Sequence, residues 1–136
     1  MAEKNKKQSF IIAGSTSDIP IVFTATDPIN RTVILKQTTW DMHIIDGDNY
    51  RLELKDQEET VKDVVEDPKF IIRDPIDNRE RYYDLVYLSS INKIKPLLVV
   101  VDHLYSTGDI CTIFVQSRLR DEPGEREIIY ERPKKR

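Results

Sequence analysis

Apolar residues along this chain come in short runs set off by turn-forming residues, a pattern that predicts strands more often than helices. The first two runs, FIIA at 10–13 and IVFTAT at 21–26, flank GSTSDIP, whose glycine, serines, aspartate and proline mark a turn. With TVILKQT at 32–38 they predict an opening antiparallel meander. The stretch WDMHII, from Trp40 to Ile45, is mixed in character. It is read as a short helix or loop carrying Met42, Ile45 and Trp40 inward and broken at Gly47. A clearer helix is KDQEETVKDVVEDP, where Asp56 followed by Glu59 resembles a capping box, Val61, Val64 and Val65 share a face, and Pro68 ends the run.

The second half is richer in strands. KFIIRD at 69–74 leads through the polar turn PIDNRE to RYYDLVYL at 81–88, whose aromatic and β-branched residues suit a pleated surface. KPLLVVVDHLY at 95–105 has the continuous apolar centre of a strand covered on both sides. After the turn STGD comes ICTIFVQSR at 110–118. Strict alternation there places Ile110, Thr112, Phe114 and Gln116 on one side and Cys111, Ile113, Val115 and Ser117 on the other, with Thr112 and Gln116 lining an open face. REIIYERPKKR supplies one edge strand and a basic end. The architecture expected is α+β, with one or two short helices against a mainly antiparallel sheet. Residues 1–9 form a polar tail, 10–131 a single domain, and 132–136 a basic tail.

Length and composition narrow the function. A chain of 136 residues supports one modest core, with no room for a separate cofactor module. The net charge of -3 is unevenly spread: residues 1–10 carry +2, residues 11–90 carry -7 and residues 91–136 carry +2. An acidic middle repels extended nucleic acid, so any contact with phosphate is local. The single cysteine, Cys111, makes no intrachain disulfide, no secretory leader is recognised at the N-terminus, and no apolar run is long enough for a bilayer. A cytoplasmic location away from membranes is expected. Oligomeric state is not readable, and the charged residues of the 127–131 edge guard it against pairing.

The chain contains no phosphate-binding glycine loop, HExxH, GxSxG or CxxC. One cysteine and two distant histidines offer too few soft ligands for zinc, and Asp41, Asp46 and Asp48 do not match a calcium-binding loop, so neither metal nor cofactor is expected. Histidine is the side chain that exchanges protons near neutrality. His43 opens a helix or turn and is the first candidate acid or base, whereas His103, at the end of the LLVVVD run, reads as a polar rim residue. Metal-free RNA cleavage needs a base for the ribose 2′-hydroxyl, an acid for the leaving oxygen, and cations or fixed donors around the phosphorus. Arg73, Arg79, Arg81 and Arg118 are the available guanidinium groups, and Thr112, Gln116 and a tyrosine the neutral donors.

Over residues 38–119 the chain resembles the phage-type barnase, EndoU, colicin and RelE-like nuclease domains of phage and mobile elements. The resemblance is carried by His43 with Ile44, the Asp67-Pro68 turn, Asp74, Tyr82 with Tyr83, Val99 to Val101, and the strand holding Thr112. It implies a curved antiparallel sheet and an endoribonuclease of the toxin or phage-effector kind, acting on tRNA or another structured RNA. In that reading His43 transfers the proton, Arg73 or Arg118 steadies the phosphate, Tyr83 positions base or sugar, and Thr112 with Gln116 lines the pocket. Two departures matter. The second histidine common in the family is absent from DGDNY at 46–50, and FIIRD lacks the family's tyrosine before its aspartate. Catalysis then needs His103, Asp48 or a tyrosine to compensate. The alternative expectation is a non-catalytic phage or prophage binding or structural protein that keeps the fold and acts through a protein partner.

Overall fold

The structure, a computed structural model, describes residues 19–45, 52–117 and 128–134. The strand expected at 10–13, most of the turn after it, the break at Gly47, Asp46, Asp48 and Arg118 lie outside the described residues. Among the described residues seven strands build one sheet: β1 (Ile21–Thr26), β2 (Thr32–Lys36), β3 (Phe70–Arg73), β4 (Arg79–Leu88), β5 (Lys93–Asp102), β6 (Gly108–Val115) and β7 (Ile128–Glu131). Their order is β1-β2-β6-β5-β4-β3-β7. Every neighbouring pair is antiparallel except β2 and β6, which run parallel and pair Val33 with Gly108 and Ile34 with Asp109. The expected α+β architecture with a mainly antiparallel sheet is therefore present. The apolar run LLVVV occupies β5, in the middle of the sheet, and the segment near 128–131 forms an edge.

One helix, α1 (Glu58–Glu66), lays Val61, Val64 and Val65 on the sheet, where all three are buried. Their i, i+3, i+4 spacing forms a single stripe, so the acidic residues between them face outward. The helix does not start at the expected capping box. Asp56 has φ 62°, in the left-handed region, whereas an N-cap residue takes an extended backbone. Gln57 stands at the cap instead. Its backbone N–H donates to the Leu54 carbonyl (2.9 Å) and its side-chain amide to Ser89 Oγ (2.8 Å), which ties the helix start to the β4–β5 turn.

The stretch read as mixed is a π-helical segment, Thr39–Ile45. It turns Trp40 and Ile44 into the core and leaves Met42 65% exposed, contrary to the inward position expected of Met42. Trp40 and Ile44 are four residues apart and so fall on one side, while Met42 lies between them on the other.

The core lies on the α1 side of the sheet. Ile71, Tyr82, Leu97, Val99 and Ile113 occupy aligned positions on neighbouring strands and are all fully buried. In β6 strict alternation fails. Val100 pairs with Thr112 and Val101 with Ile110, so a bulge absorbs one residue between them. Ile110 therefore joins Ile113 in the core instead of sharing a side with Thr112, as one extra residue reverses the facing of everything before it. Ile110→Ala is accordingly expected to cost about 2–5 kcal/mol and Thr112→Ala about 1 kcal/mol or less. Denaturant midpoints of the two variants test this, and similar shifts would contradict the bulge. None of the described helices is long and apolar enough to cross a membrane.

Candidate functional site

The structure brings three of the six expected site residues to the sheet face opposite α1. Tyr83, Thr112 and Gln116 share that side with Ile72, Leu98 and Val100. Tyr83 is buried and stacks on Phe70, with ring centroids 6.1 Å apart, while Gln116 is half-buried and its backbone N–H donates to the Pro96 carbonyl (3.0 Å). The π-helical segment bearing His43 packs on the other side, with Trp40 and Ile44 in the core. The side chain of His43 lies outside the described residues, and its expected meeting with Thr112 lies outside them too. Asp74 is part of a turn. It accepts from the Ile76 N–H (2.9 Å) and from Arg81 Nε (2.5 Å). Burial opposes its charge, but those two donors outweigh it and hold the carboxyl below its ordinary value.

The one concentration of buried chemistry found among the described residues lies at the end of the sheet where β1 meets β2, β4 begins and β5 stops. It starts with the β1–β2 turn, Asp27 to Arg31. Asp27 Oδ1 accepts from the N–H groups of Ile29 (3.1 Å) and Arg31 (2.8 Å), and Asn30 takes φ 73° to close the loop, a conformation asparagine tolerates. The other carboxylate oxygen accepts from Arg31 Nε (2.9 Å) and from the Tyr82 hydroxyl (2.6 Å). Arg31 then reaches across to β4, where its Nη1 and Nη2 donate to the two oxygens of Glu80 at 3.2 and 2.7 Å, and Nη2 also approaches Tyr82 Oη at 3.1 Å. His103 closes the group. Its Nε2 stands 3.0 Å from Tyr82 Oη and 3.6 Å from Glu80 Oε1. The residue is anchored by its backbone N–H, which donates to the Asn78 carbonyl (2.6 Å).

Burial sets the electrostatics of this cluster. The Asp27 side chain is fully covered, those of Glu80 and His103 are 11% exposed, and that of Arg31 is 28% exposed, so the group opens to solvent on the Arg31 side. Burial, helped by the nearby Arg31 charge, lowers the His103 pKa below its ordinary 6.5 against the pull of Glu80, Asp27 and Asp102, so the imidazole is neutral near pH 7. Burial and the bond to Asp27 push the Tyr82 hydroxyl far above the usual phenol range. For Arg31 burial works against the charge, but the Glu80 carboxylate more than offsets it and raises the pKa.

Arg73 belongs beside this cluster. It pairs in register with Glu80, so both project from the same side of the sheet, with Arg73 exposed at the rim. It adds a second guanidinium on the strand position opposite the Glu80 carboxylate. Gly108, at the start of β6, is the remaining contact. A Cβ there would stand 2.8 Å from His103 Cε1, 2.8 Å from Val101 Cγ1 and 3.0 Å from His103 Nδ1. Since Val101 is buried and the ring is held by Tyr82, neither yields freely, and Gly108→Ala is expected to cost about 1–3 kcal/mol. An unchanged thermal midpoint for that variant would mean that the ring is loose.

Of this cluster, the sequence places Arg73 among the site residues and reads His103 as a rim residue that serves only to compensate for the missing second histidine. Asp27, Arg31, Glu80 and Tyr82 received no functional role. One signal was available: in RERYYDLVYL the positions 80, 82, 84, 86 and 88 fall on one side of a strand, and of the two acidic residues among them Glu80 is buried beside Tyr82. Buried carboxylates need partners, and the partners come from the turn some 50 residues earlier.

Comparison of the chain with family models, with curated proteins and with solved structures returns no match.

Proposed function

We propose that the chain is a small metal-independent endoribonuclease, of the toxin or phage-effector kind, in which His103 is the proton-transfer residue. The observation that carries this reading is the meeting of an imidazole, a carboxylate and a guanidinium at one partly exposed site, with His103 Nε2 3.6 Å from Glu80 and Arg31 on both Glu80 oxygens. They supply the base and the cations that metal-free cleavage requires, while the acid comes from solvent. His103, neutral at rest, accepts the proton of the ribose 2′-hydroxyl. The 2′-oxygen forms its bond to phosphorus, and Glu80 steadies the imidazolium produced. Arg31 and Arg73 face the charge that gathers on the phosphate oxygens as the bond to the 5′-oxygen breaks. The departing oxygen takes its proton from solvent, because the Tyr82 hydroxyl proton is committed to Asp27. The substrate class is tRNA or another structured RNA with a single-stranded element that reaches the sheet end.

The non-catalytic alternative, a binding or structural protein that retains a nuclease-like fold, is favoured by a different feature: both Glu80 oxygens are already engaged by Arg31, as in a purely structural tie. Incubating labelled total tRNA and mRNA with the purified protein in EDTA separates the two. Cleavage with 2′,3′-cyclic phosphate ends supports the nuclease. Intact RNA at high protein concentration overturns it in favour of the alternative.

A further inference from the structure

We infer that Asp27 is a positioning residue for His103: acting through the Tyr82 hydroxyl, it fixes the imidazole as the Nε2–H tautomer and leaves the lone pair on Nδ1. The inference rests on the nuclease reading only for its catalytic meaning, since the tautomer is a property of the resting protein.

Asp27 is met by four donors, the N–H groups of Ile29 and Arg31, Arg31 Nε and the Tyr82 hydroxyl. An ionised carboxylate beside a guanidinium is an acceptor only, so the 2.6 Å contact between Tyr82 Oη and Asp27 Oδ2 takes the single phenolic proton. Tyr82 Oη has two further neighbours. Arg31 Nη2, at 3.1 Å, can only donate, and His103 Nε2 lies at 3.0 Å. With no proton left on the oxygen to offer, the contact with Nε2 is a hydrogen bond only if Nε2 carries the hydrogen. A neutral imidazole protonated at Nε2 has its lone pair at Nδ1. That edge of the ring packs closely on buried Gly108, where an added Cβ would stand 2.8 Å from Cε1 and 3.0 Å from Nδ1. Nε2 is then the fixed anchor and Nδ1 the basic nitrogen, and a substrate proton reaches Nδ1 only where the ring moves off Gly108.

The test reads the tautomer directly. Long-range 15N–1H correlation spectra of histidine-labelled protein, taken above the imidazole titration and assigned by the loss of signals in His103→Gln, are expected to give a pyrrole-type Nε2 and a pyridine-type Nδ1. In Asp27→Asn the amide can donate to Tyr82 Oη, which frees the phenolic proton to turn toward His103, and the two nitrogen types are expected to exchange or average. Tyr82→Phe removes the acceptor altogether and is expected to relax the preference, which keeps the test decisive should Asp27→Asn fail to fold. A wild-type ring protonated at Nδ1, or a tautomer left unchanged in the variants that fold, overturns the inference. The expected tautomer in a protein that cleaves no RNA would leave the positioning role standing and remove the nuclease reading. The reverse pair of results would do the opposite.

Discussion

Asp27→Ala is expected to lower the free energy of unfolding by about 3–5 kcal/mol, the largest single loss in the cluster. Alanine at this position strands four donors at once: two backbone N–H groups of the β1–β2 turn, the Arg31 Nε and the Tyr82 hydroxyl. The carboxylate is fully covered, so water cannot take its place without opening the turn. Arg31 would keep Glu80, but its fork would lose the support that aims it across the sheet. Tyr82→Phe is the milder companion, at about 1–3 kcal/mol, because Asp27 retains three of its donors. Guanidinium denaturation with an unchanged slope measures both. A loss below about 1 kcal/mol for Asp27→Ala would mean that the cluster does not fasten the β1–β2 turn to the rest of the sheet.

His103→Gln is expected to reduce RNA cleavage by about 10²–10⁴-fold while leaving the protein folded. Glutamine keeps an N–H for Tyr82 but has no nitrogen that exchanges a proton near neutral pH, so packing and chemistry are separated in one variant. The pH profile gives a second reading. His103 works as a base only when neutral, and burial together with Arg31 lowers its pKa, so the acid limb of cleavage is expected to centre below the 6.5 of an ordinary imidazole. An acid limb centred above 6.5 would point to another base. If the loss of cleavage follows His43→Ala and spares His103→Gln, the proton-transfer role passes to the π-helical segment.

The strands and α1 were legible because each stands on a local pattern: period two in RYYDLVYL, a continuous apolar run in LLVVV, and the valine stripe of residues 61, 64 and 65. What failed locally failed for identifiable reasons. Asp56 looked like a cap, but its left-handed backbone excludes it, and Met42 looked apolar enough for the core although Trp40 and Ile44 set the inward side. Ile110 was misplaced because a bulge leaves no mark in a pattern of alternating residues. The polar cluster was hidden for a deeper reason. Asp27 and Arg31 on one turn, Glu80 and Tyr82 on a strand, and His103 past the end of another come together only when the sheet closes, and no spacing along the chain reports that closure.

The parallel junction of β2 with β6 has a consequence for how the molecule assembles. β3 to β6 follow one another as antiparallel neighbours through short turns, so their contacts form between segments near in sequence. The pairing of Val33 with Gly108 instead closes a loop that spans most of the chain, and it brings only two registered pairs of its own. Such distant closure is entropically slow and weakly rewarded until side chains lock it. The β1–β2 hairpin, although its Val33 and Leu35 are buried in the core, is thus expected to dock late in folding. Its latch is the same Asp27, Arg31, Glu80 and Tyr82 contacts that hold His103, so partial opening would disassemble the site before it disturbed the central strands.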